Sequence, residues 1–387
     1  MRAEQHSLRY EPGFDGVRGL AIALVLLYHF TRETALARSD AFFARFVLAG
    51  WCGVDLFFVL SGFLITTILL RTVGERDHFK RFYIRRSLRI LPLYYGTLAV
   101  VLLILPRVLP VTPEIRRILD AQHALWLYYM NYMPVEFDAA WMRLAHFWSL
   151  VVEEQFYLVW PVALAIAGAR RMKALLIAGI VFVFALQFGI LFADIPLADR
   201  MHAVRPLGLV AGALLALWRP ADAHEHKTRG PGWMNAVAIL AATAVVVMIA
   251  SGGFRELPHS SQDSAVAAVR LAVFGALVVS WVWIVDASRR DGLAARFFSL
   301  AVLRSFGKYS YGMYVLHYLL LPLFVRWFGR GLVFVVLSIA ATYGVAMISY
   351  HLFEKRFLAW KERLAPVRIA PHSDPLPADA GRGSKGD

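Results

Sequence analysis

A single cysteine, Cys52, in 387 residues leaves no partner for a disulfide and no thiolate cluster for a metal. Charge is scarce as well: 18% of the side chains are charged, against about 25% in soluble domains. The twelve histidines are scattered rather than clustered. No internal repeat of fixed period is apparent, which weakens an inverted-repeat transporter reading. The first 18 residues mix charges of both signs, and no small-residue cleavage site follows the first apolar run, so no cleavable signal peptide is expected. What the chain has in abundance is apolar surface: 59% hydrophobic residues and a mean hydropathy of +0.56. This composition excludes a disordered protein, a coiled coil and an ordinary cytosolic enzyme, and points to lipid as the main solvent. The net charge of +14, from 41 Lys and Arg against 27 Asp and Glu, then reads as basic cytoplasmic loops held on anionic lipid rather than as a nucleic-acid footprint.

A spanning helix needs about 20 mostly apolar residues. Ten segments approach this: 19–36, 49–70, 90–106, 146–169, 174–192, 205–218, 234–250, 266–285, 309–327 and 332–353. Several are short or interrupted, so nine to eleven spans fit the pattern. The aromatic stretch 121–133 is too short to span and reads as interfacial or re-entrant. With ten spans, 28 of the 41 Lys and Arg fall on the face that carries both termini and 12 on the other, which places both termini in the cytoplasm. The expected fold is all-α and polytopic. Residues 1–9 form a cytoplasmic lead, 10–360 one membrane domain and 361–387 a disordered cytoplasmic tail, rich in Pro, Gly, Asp and Ser from Pro366 onward.

Ionisable groups inside a membrane are costly and are functional candidates by default. Arg18 and His29 lie eleven residues apart, on one face of the first helix and about 16 Å along its axis. A snorkelling arginine and a packing histidine is the plainer alternative. Asp55, flanked by Gly50, Gly53 and Gly62, needs a His or Arg from another helix, or else caps a helix start. Arg85, Arg86 and Arg89 recur at helical spacing; Arg86 and Arg89 share a face and their planar forks suit phosphate, although basic residues at a span entrance also serve as plain topology anchors. His146, Ser149 and Glu153 are spaced like a hydrolase triad, but a Ser and a His three residues apart on one rigid helix rarely meet in attack geometry. Of the adjacent pair Glu153 and Glu154, Glu153 is expected to face inward against an Arg or His. Arg205 and His317 are candidates for the acceptor side, His317 equally for helix packing, and Glu354 for an interface anchor.

Five stretches, in this order, resemble the integral-membrane acyltransferases of acyltransferase family 3, which O-acylate bacterial surface polysaccharides and glycoconjugates: FDGVRGLAIALVLLYHF (14–30), GVDLFFVLSGFLIT (53–66), FYIRRSLRILPLYY (82–95), FWSLVVEEQFYLVWP (147–161) and GKYSYGMYVLH (307–317). The resemblance implies about ten membrane helices in a bacterial cytoplasmic membrane. It implies transfer of an acyl group, often acetyl, from a cytoplasmic acyl-CoA co-substrate to a hydroxyl of an extracytoplasmic or lipid-linked glycan. The family's hallmark Arg and His match Arg18 and His29, its paired arginines Arg86 and Arg89, and its acidic positions Asp55 and Glu153. On this reading His29 is the base, oriented by Asp55 or Glu153, while Arg86 and Arg89, with Arg85 beside them, hold the CoA phosphates and Arg18 lies near the pantetheine arm. No metal and no resident cofactor are expected. Where many members end on Glu-Lys-Pro, this chain has Glu354, Lys355 and Arg356. Larger members carry an added extracytoplasmic esterase-like domain, for which this chain has no room, so it completes the transfer itself or hands the acyl group to a separate envelope-biosynthesis partner. A polytopic transporter or flippase of a glycan precursor is the rival class, since it too needs buried His, Asp, Glu and Arg.

The charge bias yields a direct expectation. Reporter fusions placed in loop 251–264 and at the C-terminus report opposite faces; the same face for both contradicts a ten-span chain.

Overall fold

The computed structural model describes residues 11–39, 41–133, 144–192, 206–218, 232–252, 264–290 and 292–366. All regular structure among them is helical. The chain runs through α1 (Pro12–Arg32), α2 (Phe42–Leu48), α3 (Gly53–Thr72), α4 (His78–Leu98), α5 (Leu105–Val108), α6 (Pro113–Asp120), α7 (His123–Trp126), α8 (Phe147–Phe192), α9 (Leu207–Trp218), α10 (Gly232–Ala250), α11 (Ser264–Ala287), α12 (Leu293–Phe298), α13 (Ala301–Phe328), α14 (Leu332–Ser349) and α15 (Lys355–Leu364). π-helical turns at Ala99–Ile104 and Tyr350–Glu354 extend α4 and join α14 to α15.

Among the described residues, five stretches are long and apolar enough to cross a membrane: Pro12–Arg32, Phe42–Thr72, His78–Val108, Gly232–Ala250 and Leu332–Leu364. Leu207–Trp218 and Leu271–Ala287 are shorter apolar helices. The segments expected at 146–169 and 174–192 form one long helix, α8, broken where Gly168 takes φ 70° and ψ 159°. That left-handed φ suits a residue without a Cβ. Large apolar side chains such as Ile166, Leu240, Leu332 and Val336 stay exposed on the outside. An outer surface of this kind is a liability in water and ordinary in lipid.

α1 sits at the centre. Its buried stripe of Val17, Ala21, Ile22, Val25 and Leu26 follows helical periodicity, and it packs along α13 and α3. Both of its neighbours approach to backbone distance. A Cβ at Gly19 would overlap the Leu303 carbonyl of α13, and one at Gly307 the Asp15 carbonyl of α1. α3 and α9 meet the same way, with Gly62 against the Leu209 carbonyl and Gly212 against that of Val59. Glycine crossings of this type replace hydrophobic drive with dense van der Waals contact where lipid is as apolar as leucine.

The aromatic stretch after α6 does not span. Its one-turn helix α7 and a 3₁₀ turn at Met130–Tyr132 cover α4. Tyr94 donates to the Leu125 carbonyl (2.8 Å) and Tyr95 to that of Trp126 (3.1 Å), while Tyr128 stacks on Tyr94 with ring centroids 4.6 Å apart. Tyr128 holds φ 55°, and its carbonyl accepts from Gln155 Nε2 at 2.8 Å.

The α3–α9 crossing leaves no room for a side chain at Gly212, whereas Gly179 faces open space. Overpacking against backbone costs about 1–3 kcal/mol, and an Ala for Gly exchange in an open helix position gains up to about 1 kcal/mol. Gly212→Ala therefore lowers the thermal unfolding midpoint in detergent, and Gly179→Ala leaves it equal or higher.

Candidate active site

α1, α3, α4, α8 and α13 line a cavity of about 90 Å³. Three guanidinium groups line it, from Arg18, Arg86 and Arg89. Arg18 stands six residues into α1, and Arg86 and Arg89 eight and eleven residues into α4, so at 1.5 Å per residue all three lie about 9–16 Å inside their helix starts. Arg18 donates to Asp15 at 2.7 Å. The Arg86 guanidinium lies 5.4 Å from the Tyr157 ring centroid, which leaves its in-plane donors directed elsewhere than that face. Arg85, one residue away, points off the cavity: it forks onto both oxygens of Glu362 at 3.0 Å and donates to the Ala365 carbonyl at 2.7 Å, tying α4 to α15.

The carboxylates divide by helix face. Glu153 lines the cavity and accepts from the Ser61 and Tyr157 hydroxyls. Glu154, turned about 100° around α8, has a buried oxygen with no hydrogen-bond partner among the described residues. Asp55 is fully buried in the first turn of α3. Glu354 occupies the π-helical turn and accepts from Ser349 Oγ at 3.2 Å. Arg205 lies outside the described residues.

The cavity ends on a pair of hydroxyls. Ser149 Oγ and Tyr314 Oη are 2.5 Å apart, and Tyr314 donates to the His146 carbonyl at 2.8 Å. Ser149 thus bonds a tyrosine and a backbone carbonyl, not an imidazole, and His146 Nε2 donates to the Val315 carbonyl at 3.2 Å. The His146, Ser149 and Glu153 spacing at the start of α8 does not form a triad. Behind Tyr314 three imidazoles gather: His317, fully buried, has its ring centroid 4.9 Å from that of His29 and 5.0 Å from that of His146. His317 Nε2 lies 3.1 Å from His29 Nδ1. Neither Glu153 nor Asp55 makes the described hydrogen bond to His29; His317 does. Among the described residues no three His, Cys, Asp or Glu converge as a metal site.

Sequence reasoning missed Ser61, Tyr157 and Tyr314. Tyr157 is one turn after Glu153 and Tyr314 one turn before His317, so same-face spacing carries a signal for both. Ser61 has none within its own helix, because its partner comes from α8.

The cavity carries three guanidinium groups and the Ser149 and Tyr314 hydroxyls, and the imidazoles pack beside Tyr314. Phosphate suits the guanidinium groups, and proton transfer the imidazoles. The chain is similar to a peptidoglycan O-acetyltransferase of Listeria monocytogenes (28% identity over 91% of this chain and 56% of that protein). It is equally similar to a putative peptidoglycan O-acetyltransferase of Bacillus subtilis (28%, over 90% and 55%), and it resembles a putative O-acetyltransferase of Staphylococcus aureus (26%, over 94% and 61%). The chain thus spans a little over half the length of the curated relatives it matches. No solved structure matches it. The acyltransferase domain model matches residues 11–351, nearly the whole membrane block and all five stretches that carry the resemblance: the chain belongs to acyltransferase family 3.

Proposed function

We propose that the protein is a multi-pass enzyme of the bacterial cytoplasmic membrane that moves an acyl group, acetyl first among candidates, from acyl-CoA on the cytoplasmic side to a hydroxyl of an extracytoplasmic or lipid-linked glycan. The observation that supports this most is the single cavity that brings Arg18, Arg86 and Arg89 together and ends at Ser149 and Tyr314, with His29 and His317 behind them. Arg86 and Arg89 hold the donor phosphates, Arg18 sits beside the pantetheine arm, and the thioester is carried inward toward His29. The similarity to peptidoglycan O-acetyltransferases favours a cell-envelope glycan as acceptor.

The chemistry then follows from the groups. The acceptor oxygen attacks the thioester carbonyl, and a C–O bond forms as the C–S bond breaks. His29 takes the hydroxyl proton as the bond forms and returns it to the departing CoA thiolate, so no net proton is left on the protein. Glu153 balances part of the arginine charge while its hydroxyl donors, Ser61 and Tyr157, keep it in place.

Removing a general base costs about 10²–10⁴ in rate. In isolated membranes given radiolabelled acetyl-CoA, His29→Gln is expected to insert normally yet to label glycan at least about a hundredfold more slowly than wild type. Near wild-type labelling by His29→Gln would make this histidine structural and the assignment wrong. A protein that moved glycan without consuming thioester would instead be a transporter.

A further inference from the structure

The proposed base has a partner of its own. His317 Nδ1 lies 2.7 Å from the Tyr314 carbonyl, one turn earlier on α13. A carbonyl only accepts, so this nitrogen carries a proton. A neutral imidazole has one N–H, and His317 is fully buried against two other imidazoles, where a cation would be unfavourable. His317 Nε2 therefore presents a lone pair. The atom it meets at 3.1 Å is His29 Nδ1, which must then be the donor. One proton on His29 Nδ1 leaves His29 Nε2 bare.

We propose that His317 is a positioning residue: it accepts from His29 Nδ1 and so fixes both the tautomer and the rotation of the His29 ring, keeping Nε2 as the lone pair that receives the acceptor proton. This rests on His29 being the base. The assignment does not reverse. Both nitrogens of His317 are engaged, one by Tyr314 and one by His29, and its side chain is fully buried, whereas His29 is half-buried. The support behind His317 is layered. Tyr314 and His317 share a face of α13, and the Tyr314 hydroxyl is tied to the His146 carbonyl at 2.8 Å. His146 in turn is anchored by its own Nε2 to Val315. The His29 ring is flanked by Tyr28 and Tyr318, each with its ring centroid 5.0 Å away. Rotation about the Cβ–Cγ bond is thus limited on both sides and registered by a single hydrogen bond. The Val25 carbonyl, a turn earlier on α1, also lies within reach of the His29 ring.

The test compares three variants in detergent-purified full-length protein, with acetyl-CoA as donor and wild-type cell-envelope glycan as acceptor. His317→Leu removes the acceptor atom; a base left free to turn or to take the wrong tautomer is expected to lose about 10²-fold or more in kcat, with KM for acetyl-CoA unchanged. His317→Gln places an amide oxygen where Nε2 stood and an amide N–H near the Tyr314 carbonyl, and is expected to restore kcat to within about tenfold of wild type. In the His29→Gln background, His317→Leu is expected to add no further loss, because it acts through His29. The proposal is overturned if a folded His317→Leu keeps wild-type kcat, if its loss falls on KM instead, or if the two substitutions cost rate independently. An inactive His29→Gln with a normal His317→Leu removes only the positioning role. An active His29→Gln removes the base itself.

Discussion

The close crossing of α1 with α13 is the constraint on which the site depends. Where Gly19 meets the Leu303 backbone and Gly307 meets that of Asp15, no side chain separates the two helices. One helix face then delivers Arg18 to the cavity and, eleven residues on, His29 to His317. In lipid the association of helices cannot draw on the hydrophobic effect, so backbone proximity and a few polar contacts carry it. A side chain at either glycine would widen the crossing, and a hydrogen bond of 3.1 Å tolerates little widening.

Much of the rest of the polar interior is held by pairing. Arg18 answers to Asp15, Glu153 to Ser61 and Tyr157, and Arg85 to Glu362. Charges left without partners in lipid would be expelled or neutralised. What distinguishes Arg86 and Arg89 is that they line the cavity rather than a helix interface. Ser149 and Tyr314 line the same cavity as those arginines and bond each other, and Tyr314 stands one turn before His317 on α13.

Much of this was legible in the sequence, and the reason is periodicity. A spacing of eleven puts Arg18 and His29 on one face, a spacing of three does the same for Arg86 and Arg89, and adjacent glutamates must diverge, so that Glu153 and Glu154 take different surroundings. Helix identity followed from apolar runs. What the sequence could not convey is which helix stands beside which. His317 read equally as a packing residue or an acceptor-side group, because its partner lies 288 positions away. Arg85 grouped with Arg86 and Arg89 by composition, yet it turns to Glu362 across 277 positions. The break at Gly168 was expected a few residues later, in the basic stretch 170–173, because charge and not φ was the visible cue. Among the described residues, five stretches are plainly apolar enough to span. α13 carries Lys308, His317 and Arg326 in its length, and such helices give up apolarity to the site they build.

The central claim is that one arginine-lined cavity receives the acyl donor. Equilibrium binding of acetyl-CoA to the purified protein in lipid nanodiscs tests it most directly. Charge-assisted bonds to phosphate contribute about 1.5–3 kcal/mol each, so Arg86→Ala combined with Arg89→Ala should weaken binding by about a hundredfold or more. Arg85→Ala, which removes a half-exposed pair worth about 0.2–1 kcal/mol and a bond to the Ala365 carbonyl, should leave the affinity within a few-fold of wild type. Equal affinity in the double variant and the wild type, or a larger loss from Arg85→Ala than from the cavity pair, would contradict the account.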